Sequence, residues 1–183
     1  IEKISAMARR LGLGQVHDLP MTSVAKGLTP TKDWKQRTKG EEWVIGDSVN
    51  SAIGQGFVLA SPLQLAVMIA RISTGRSVTP RLVKSIDGIE QPLGAGEDMG
   101  LNPNNLQHVR NAMFEVSNNR RGTAYRSRII EDAYRMAGKT GTSQVRNITA
   151  AERARGVTHN RDLPWERRDH ALFVDFAPFD APK

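Results

Sequence analysis

The chain has 183 residues, 39 % of them hydrophobic and 25 % charged, with a formal net charge of +7 and no cysteine. That length suffices for one domain with a real core but not for two ordinary ones, and the composition is globular rather than disordered. Disulfides, cysteine nucleophiles and thiolate metal sites are excluded. The four scattered histidines (His17, His108, His159, His170) lack metal-ligand spacing, and no run of about 18 apolar residues is there to span a membrane.

Ile1-Glu2-Lys3-Ile4 reads as the middle of a helix already under way, not as a signal peptide. Ile4, Met7, Ala8 and Leu11 share one helical face, and Gly12 and Gly14 end the pattern. From Gln15 to Gly56 no period is sustained, which predicts a long irregular stretch, functional or anchored by its own side chains. Ser61 to Ser73 predicts a helix, with Ser61 as cap, Pro62 at the first position, Gln64 completing a capping box and Gly75 as the stop. Its residues are apolar nearly all round, so it should be buried.

Val78 to Ile86 reads as a strand that Pro80 confines to an edge, followed by an Asp87-Gly88 turn and a polar loop over residues 90–100. Asn102-Pro103 opens a second helix carrying Leu106, Val109, Met113 and Val116, and a shorter helix is expected after Gly122-Thr123. Tyr134 to Val145 predicts a strand interrupted by Gly138 and Gly141. Ala171 to Ala177, a nearly continuous apolar run, predicts a strand buried on both faces. A charged loop of about 25 residues joins these two, long enough to need a function. The chain stops at a turn just after that strand. Both ends read as cut, so residues 1–183 are predicted to be one incomplete α+β domain, with helices packed on an antiparallel sheet.

The positive charge suggests attraction to an anionic partner. Arginines gather at Arg120-Arg121, Arg126, Arg128 and from Arg146 to Arg168, where a solvated basic loop is the plainer reading. Nucleic-acid binding would also need aromatic stacking platforms, and only Trp165 lies in that region.

Lys139-Thr140-Gly141-Thr142 carries the chemistry. A glycine inside a strand marks a place where a ligand or another backbone comes close, and an ammonium with two hydroxyls beside it suits an anionic group. The tetrapeptide alone arises easily by chance; its surroundings make it specific. Gly54-Gln55-Gly56 followed by Ser61-Pro62-Leu63-Gln64, then Gly122-Thr123-Ala124 before the motif and Phe176-Ala177-Pro178 after it, resemble class B penicillin-binding proteins, whose third signature is Lys-Thr-Gly on a strand. Pro30-Thr31-Lys32-Asp33-Trp34-Lys35 resembles the elongation-specific branch, penicillin-binding protein 2. The resemblance covers nearly the whole chain.

This resemblance implies a peptidoglycan D,D-transpeptidase that cross-links stem peptides through an acyl-serine and is inhibited by β-lactams. It implies that Lys139 organises the proton relay and that Thr140 and Thr142 bind the substrate carboxylate. The Thr142 amide would serve the oxyanion, and Gly141 would leave room for substrate. It implies no cofactor or metal, and it names as partners stem peptides, β-lactams and elongation-machinery membrane proteins such as a glycan polymerase. The location it implies is the periplasmic face of the inner membrane, with the anchor outside this chain. The family also needs Ser-x-x-Lys at the start of a helix and a Ser-x-Asn. Ser23-Val24-Ala25-Lys26, Ser48-Val49-Asn50 and Ser117-Asn118-Asn119 match these patterns but in the wrong settings, so they read as decoys. The nucleophile is expected before Ile1 and a further core strand after Lys183. A non-catalytic module of the same fold, or a basic nucleic-acid-binding domain, are the alternatives.

Overall fold

Local sequence rules account for most helix ends. Thr31 caps helix α2 (Lys32–Lys39), its hydroxyl accepting the Trp34 amide, and Gly40 closes it in the left-handed region. Ser61 and Gln64 complete the capping box that opens α4 (Pro62–Thr74), Pro62 sits in its first turn, and Gly75 at φ 73° terminates it. The Asn102 side chain accepts the amides of Asn104 and Asn105 at the start of α5 (Pro103–Asn118). The remaining helices are α1 (Glu2–Arg10), α3 (Ile45–Ala52) and α6 (Ala150–Arg155).

The computed structural model describes residues 1–92, 96–146 and 148–182. Two antiparallel two-stranded sheets accompany the helices: β1 (Ser85–Ile86) with β2 (Ile89–Glu90), and β3 (Ala137–Ser143) with β4 (His170–Phe176). The class is α+β. The chain divides into two units, Ile1–Arg110 and Asn111–Lys183, with the boundary inside α5.

In the first unit the interior is held by polar side chains as much as by apolar ones. Val67 and Ile69 are buried on α4, but so are Gln64 and Arg71. Gln64 is fully buried, and its amide nitrogen donates to the carbonyls of Lys26 (2.7 Å) and Gln15 (2.8 Å). Arg71 donates to Arg10 O at 2.7 Å and Val78 O at 3.1 Å. Lys35 is buried on α2, donates to Asp47 Oδ2 at 2.8 Å and Glu42 O at 2.9 Å, and so ties α2 to α3.

The second unit packs Met113, Ala124, Met136, Ala137 and Phe176. Phe114 and Phe179 meet at 4.7 Å between ring centroids, with the Arg135 guanidinium 5.2 Å from the Phe114 ring. Asn118 Nδ2 bridges the Phe114 and Met136 carbonyls at 2.9 Å each, fastening the end of α5 to the residue before β3.

Several expectations are corrected. The stretch from Gln15 to Gly56 holds α2 and α3; eight-residue helices are too short to set up a visible apolar period. The predicted strand over Val78 to Ile86 shrinks to Ser85–Ile86, with Leu82 61 % exposed. The turn after it is as predicted: Asp87 and Gly88 both have positive φ, the primed hairpin turn such a pair favours. Strand β4 alternates instead of being buried on both faces, since Phe173 is exposed while Phe176 is buried. Helix α4 is covered on both sides much as expected, with Gln64, Val67 and Arg71 buried on one face, Ile69 and Ser73 on the opposite one, and Pro62, Ala66 and Thr74 exposed. On α1, Ile4 and Met7 are exposed and Ser5 is buried. The connection after β3 contains α6 and two 3-10 turns, Asn160–Asp162 and Trp165–Arg167. The loop expected over residues 90–100 falls partly on 93–95, outside the described residues.

Candidate active site

Strand β3 begins in the core and emerges from it. Ala137 is fully buried, whereas Lys139, Gly141, Thr142 and Ser143 are exposed. Its register with β4 pairs Lys139 with Val174, Thr140 with Phe173, Gly141 with Leu172 and Thr142 with Ala171. Side chains alternate along a strand, so Thr140 and Thr142 share one face and Lys139 takes the other. The Lys139 ammonium donates to the Thr140 carbonyl at 2.6 Å. Thr140 Oγ1 lies 2.8 Å from Thr123 Oγ1.

The two glycines of the strand are there for different reasons. A Cβ on Gly138 would come within 2.6 Å of the Phe173 ring and 2.9 Å of the Val174 carbonyl, so packing alone demands glycine. A Cβ on Gly141 would touch only Leu172 Cβ, at an ordinary 3.7 Å, and Gly141 is not among the positive-φ glycines. Among the described residues, nothing requires glycine at 141.

Lys139 borders an open cleft of about 330 Å³, shared with Glu115, Asn119, Arg121 and Thr123 from the end of α5 and the loop after it. Just beyond β3, Arg146 grips Glu152 with two bonds of 2.6 and 2.7 Å. The guanidinium holds the Glu152 carboxyl below the usual glutamate range, chiefly through that hydrogen bond, and the carboxylate raises Arg146 in turn. Asp169 accepts the Val145 amide at 3.1 Å, and its own amide donates to Asn160 Oδ1 at 2.8 Å. The charged connection is thus laced to both strand ends. Among the described residues, no His, Asp or Glu cluster could hold a metal ion.

The three patterns read as decoys lie in different settings. Ser23 to Lys26 lie in irregular backbone, where residues three apart are not brought onto one face as on a helix. Ser48 lies on α3 and its hydroxyl accepts the Trp43 indole N–H at 2.8 Å; Asn50, two positions along the helix, does not face it. Ser117 is fully buried on α5 with no partner for its hydroxyl among the described residues, and Asn118 serves the backbone. The strand therefore brings Lys139, Thr140, Gly141 and Thr142 together and adds Thr123. Sequence reading noted Gly122-Thr123-Ala124 only as a family likeness, because a contact across seventeen positions has no local signal.

A family model described as the penicillin binding protein transpeptidase domain matches residues 1–183. The peptidoglycan D,D-transpeptidase MrdA of Acinetobacter baumannii is 34 % identical over 190 residues, covering 100 % of this chain and 27 % of that protein. Its namesake from Haemophilus influenzae is 33 % identical over 192 residues, covering 100 % and 28 %. Among solved structures, Pseudomonas aeruginosa PBP2 in complex with WCK 5153 superposes with a TM-score of 0.78 at 36 % identity, over 100 % of this chain and 37 % of that one. The Helicobacter pylori complex between PBP2 and MreC gives 0.78 at 34 % identity, over 100 % and 30 %. The chain thus spans about a quarter of the length of the curated relatives it matches. With its whole length matched, the chain belongs to the penicillin-binding protein transpeptidase family.

Proposed function

We propose that this chain is the part of a peptidoglycan D,D-transpeptidase that presents the Lys-Thr-Gly wall of the active site, with the serine nucleophile supplied by sequence outside these residues. The observation that carries the reading is Gly141. It is a glycine that, among the described residues, neither packing nor backbone conformation demands, on an exposed stretch of strand beside a lysine and two threonine hydroxyls. Space kept free there suits an approaching substrate backbone.

In this reaction a serine oxygen attacks the carbonyl carbon of the penultimate D-alanine, the bond to the terminal D-alanine breaks, and its departing amine takes a proton. The amine of a neighbouring stem then displaces the serine and forms the cross-link. A β-lactam stops at the first ester because its leaving amine stays tethered. Thr140 and Thr142, on one face of β3, hold the carboxylate of donor peptide or drug. The Lys139 ammonium supplies positive charge and orders the proton relay, and the Thr142 amide takes one side of the oxyanion. Among the described residues β3 pairs with β4 alone, so its other edge has backbone groups free for such a bond.

The elongation branch, the periplasmic face of the inner membrane and a membrane-protein partner belong to the same proposal. They are supported by relatives carrying the MrdA and PBP2 names and by the Helicobacter pylori complex with MreC. Intact mass after incubation with excess benzylpenicillin tests the reading. The complete protein is expected to gain one drug molecule and this chain alone none. Acylation of the chain alone would overturn the assignment of the nucleophile, with Ser23 the first position to map. A complete protein that never acylates would leave a non-catalytic module.

A further inference from the structure

Thr123 reaches the candidate site because the loop after α5 is fastened on both sides of it. The Gly122 amide donates to Asn119 O at 2.8 Å, the Ala124 amide to Val116 O at 3.1 Å, and the Tyr125 amide to Gly122 O at 3.2 Å. A Cβ on Gly122 would lie 2.2 Å from the Val116 carbonyl oxygen, so only glycine lets the loop lie this close to the helix. Ala124 is buried. Thr123 itself is exposed, and its hydroxyl stands 2.8 Å from that of Thr140.

A hydroxyl has one proton to donate and two lone pairs to accept with. With no ligand, either threonine can donate to the other. A bound carboxylate accepts only, so Thr140 must turn its proton to the ligand, and the pair then has one arrangement left: Thr123 donates to Thr140, and Thr140 donates outward. Donation from behind polarises the Thr140 hydroxyl and strengthens its charge-assisted bond to the anion. We propose that Thr123 is a positioning residue of the carboxylate subsite, aiming the Thr140 proton at the substrate without touching the substrate itself. This rests on the transpeptidase reading, in which Thr140 binds a carboxylate.

The test measures second-order acylation rates of the complete protein with benzylpenicillin and with its neutral methyl ester. Thr123→Val should slow the acid by about 2- to 13-fold, the range of one neutral hydrogen bond, and leave the ester within about 2-fold. Thr123→Ser should restore the rate with the acid. In a Thr140→Val background, Thr123→Val should change nothing further. Thr123→Ala, which adds no bulk to the loop, gives the same readout if the valine variant fails to fold, and the thermal midpoint reports folding. Equal slowing of acid and ester, no slowing at all, or an effect that persists in the Thr140→Val background would each overturn the proposal. A wild-type protein that neither compound acylates would instead overturn the reading beneath it.

Discussion

At the scale of single residues, Gly138 and Gly141 separate packing from function within one strand. Gly138→Ala forces a methyl against the Phe173 ring and should destabilise the protein by about 2 kcal/mol, the ordinary range for overpacking. Gly141→Ala meets no such wall and should change stability by less than about 1 kcal/mol. It should nevertheless slow β-lactam acylation about 10-fold or more, because small misplacements of a reacting group are costly. Denaturant melts and acylation rates on both variants check the pair. Ser117 offers a third case. Its buried hydroxyl has no partner among the described residues, so Ser117→Ala should leave stability unchanged or raise it by up to about 1 kcal/mol, with acylation unaffected. A loss of acylation would restore Ser117-Asn118-Asn119 as a catalytic motif.

Among elements, α4 shows why a capping-box glutamine can matter beyond its cap. Gln64 accepts the Ser61 amide at 3.2 Å while its own amide nitrogen satisfies the Gln15 and Lys26 carbonyls of the preceding irregular stretch. Gln64→Ala strips buried carbonyls of their donor and opens a void, which should cost about 3 kcal/mol by denaturant midpoint. Helices α2 and α3 are joined by charge. The Lys35 ammonium, and after it the Val44 amide, hold Asp47 below the ordinary aspartate range. A carboxylate with a lowered pKa in the folded state contributes its stability above its unfolded pKa and loses it as pH falls through the lowered value. Lys35, raised chiefly by its bond to Asp47, works in the opposite sense, and its share is lost only as pH rises through the raised value. Asp47→Asn should therefore be less stable at neutral pH and show a flatter decline in acid. Melting midpoints between pH 2 and pH 7, about the span that carboxylates titrate across, check this.

For the molecule as a whole, the net charge of +7 does not form one uninterrupted basic surface in the connection after β3. Arg146 is committed to Glu152, Arg161 lies near Asp162 at 3.7 Å, and Arg168 sits 5.8 Å from the Trp165 ring. Mixed, locally paired charge of this kind steers a polyanion weakly, and salt screens what remains. Reversing Arg153 and Arg155 together should accordingly leave β-lactam acylation by the complete protein within about 2-fold. What the sequence by itself determined lies within a few residues of its own cause. Caps such as Ser61 and Gly75, the Asp87-Gly88 turn, and a Lys-Thr-Gly on a strand rest on contacts between near neighbours, so they were legible without the fold. Family membership was legible too, because it rests on several such stretches in a set order. The tertiary structure alone decided how far the strand before Asp87 extends, that Phe173 faces solvent while Phe176 does not, and that Gln64 holds a distant loop. It also decided that Thr123 stands against Thr140. Strand length, exposure and long-range hydrogen bonds depend on which partner arrives across the fold, and no local window contains that partner.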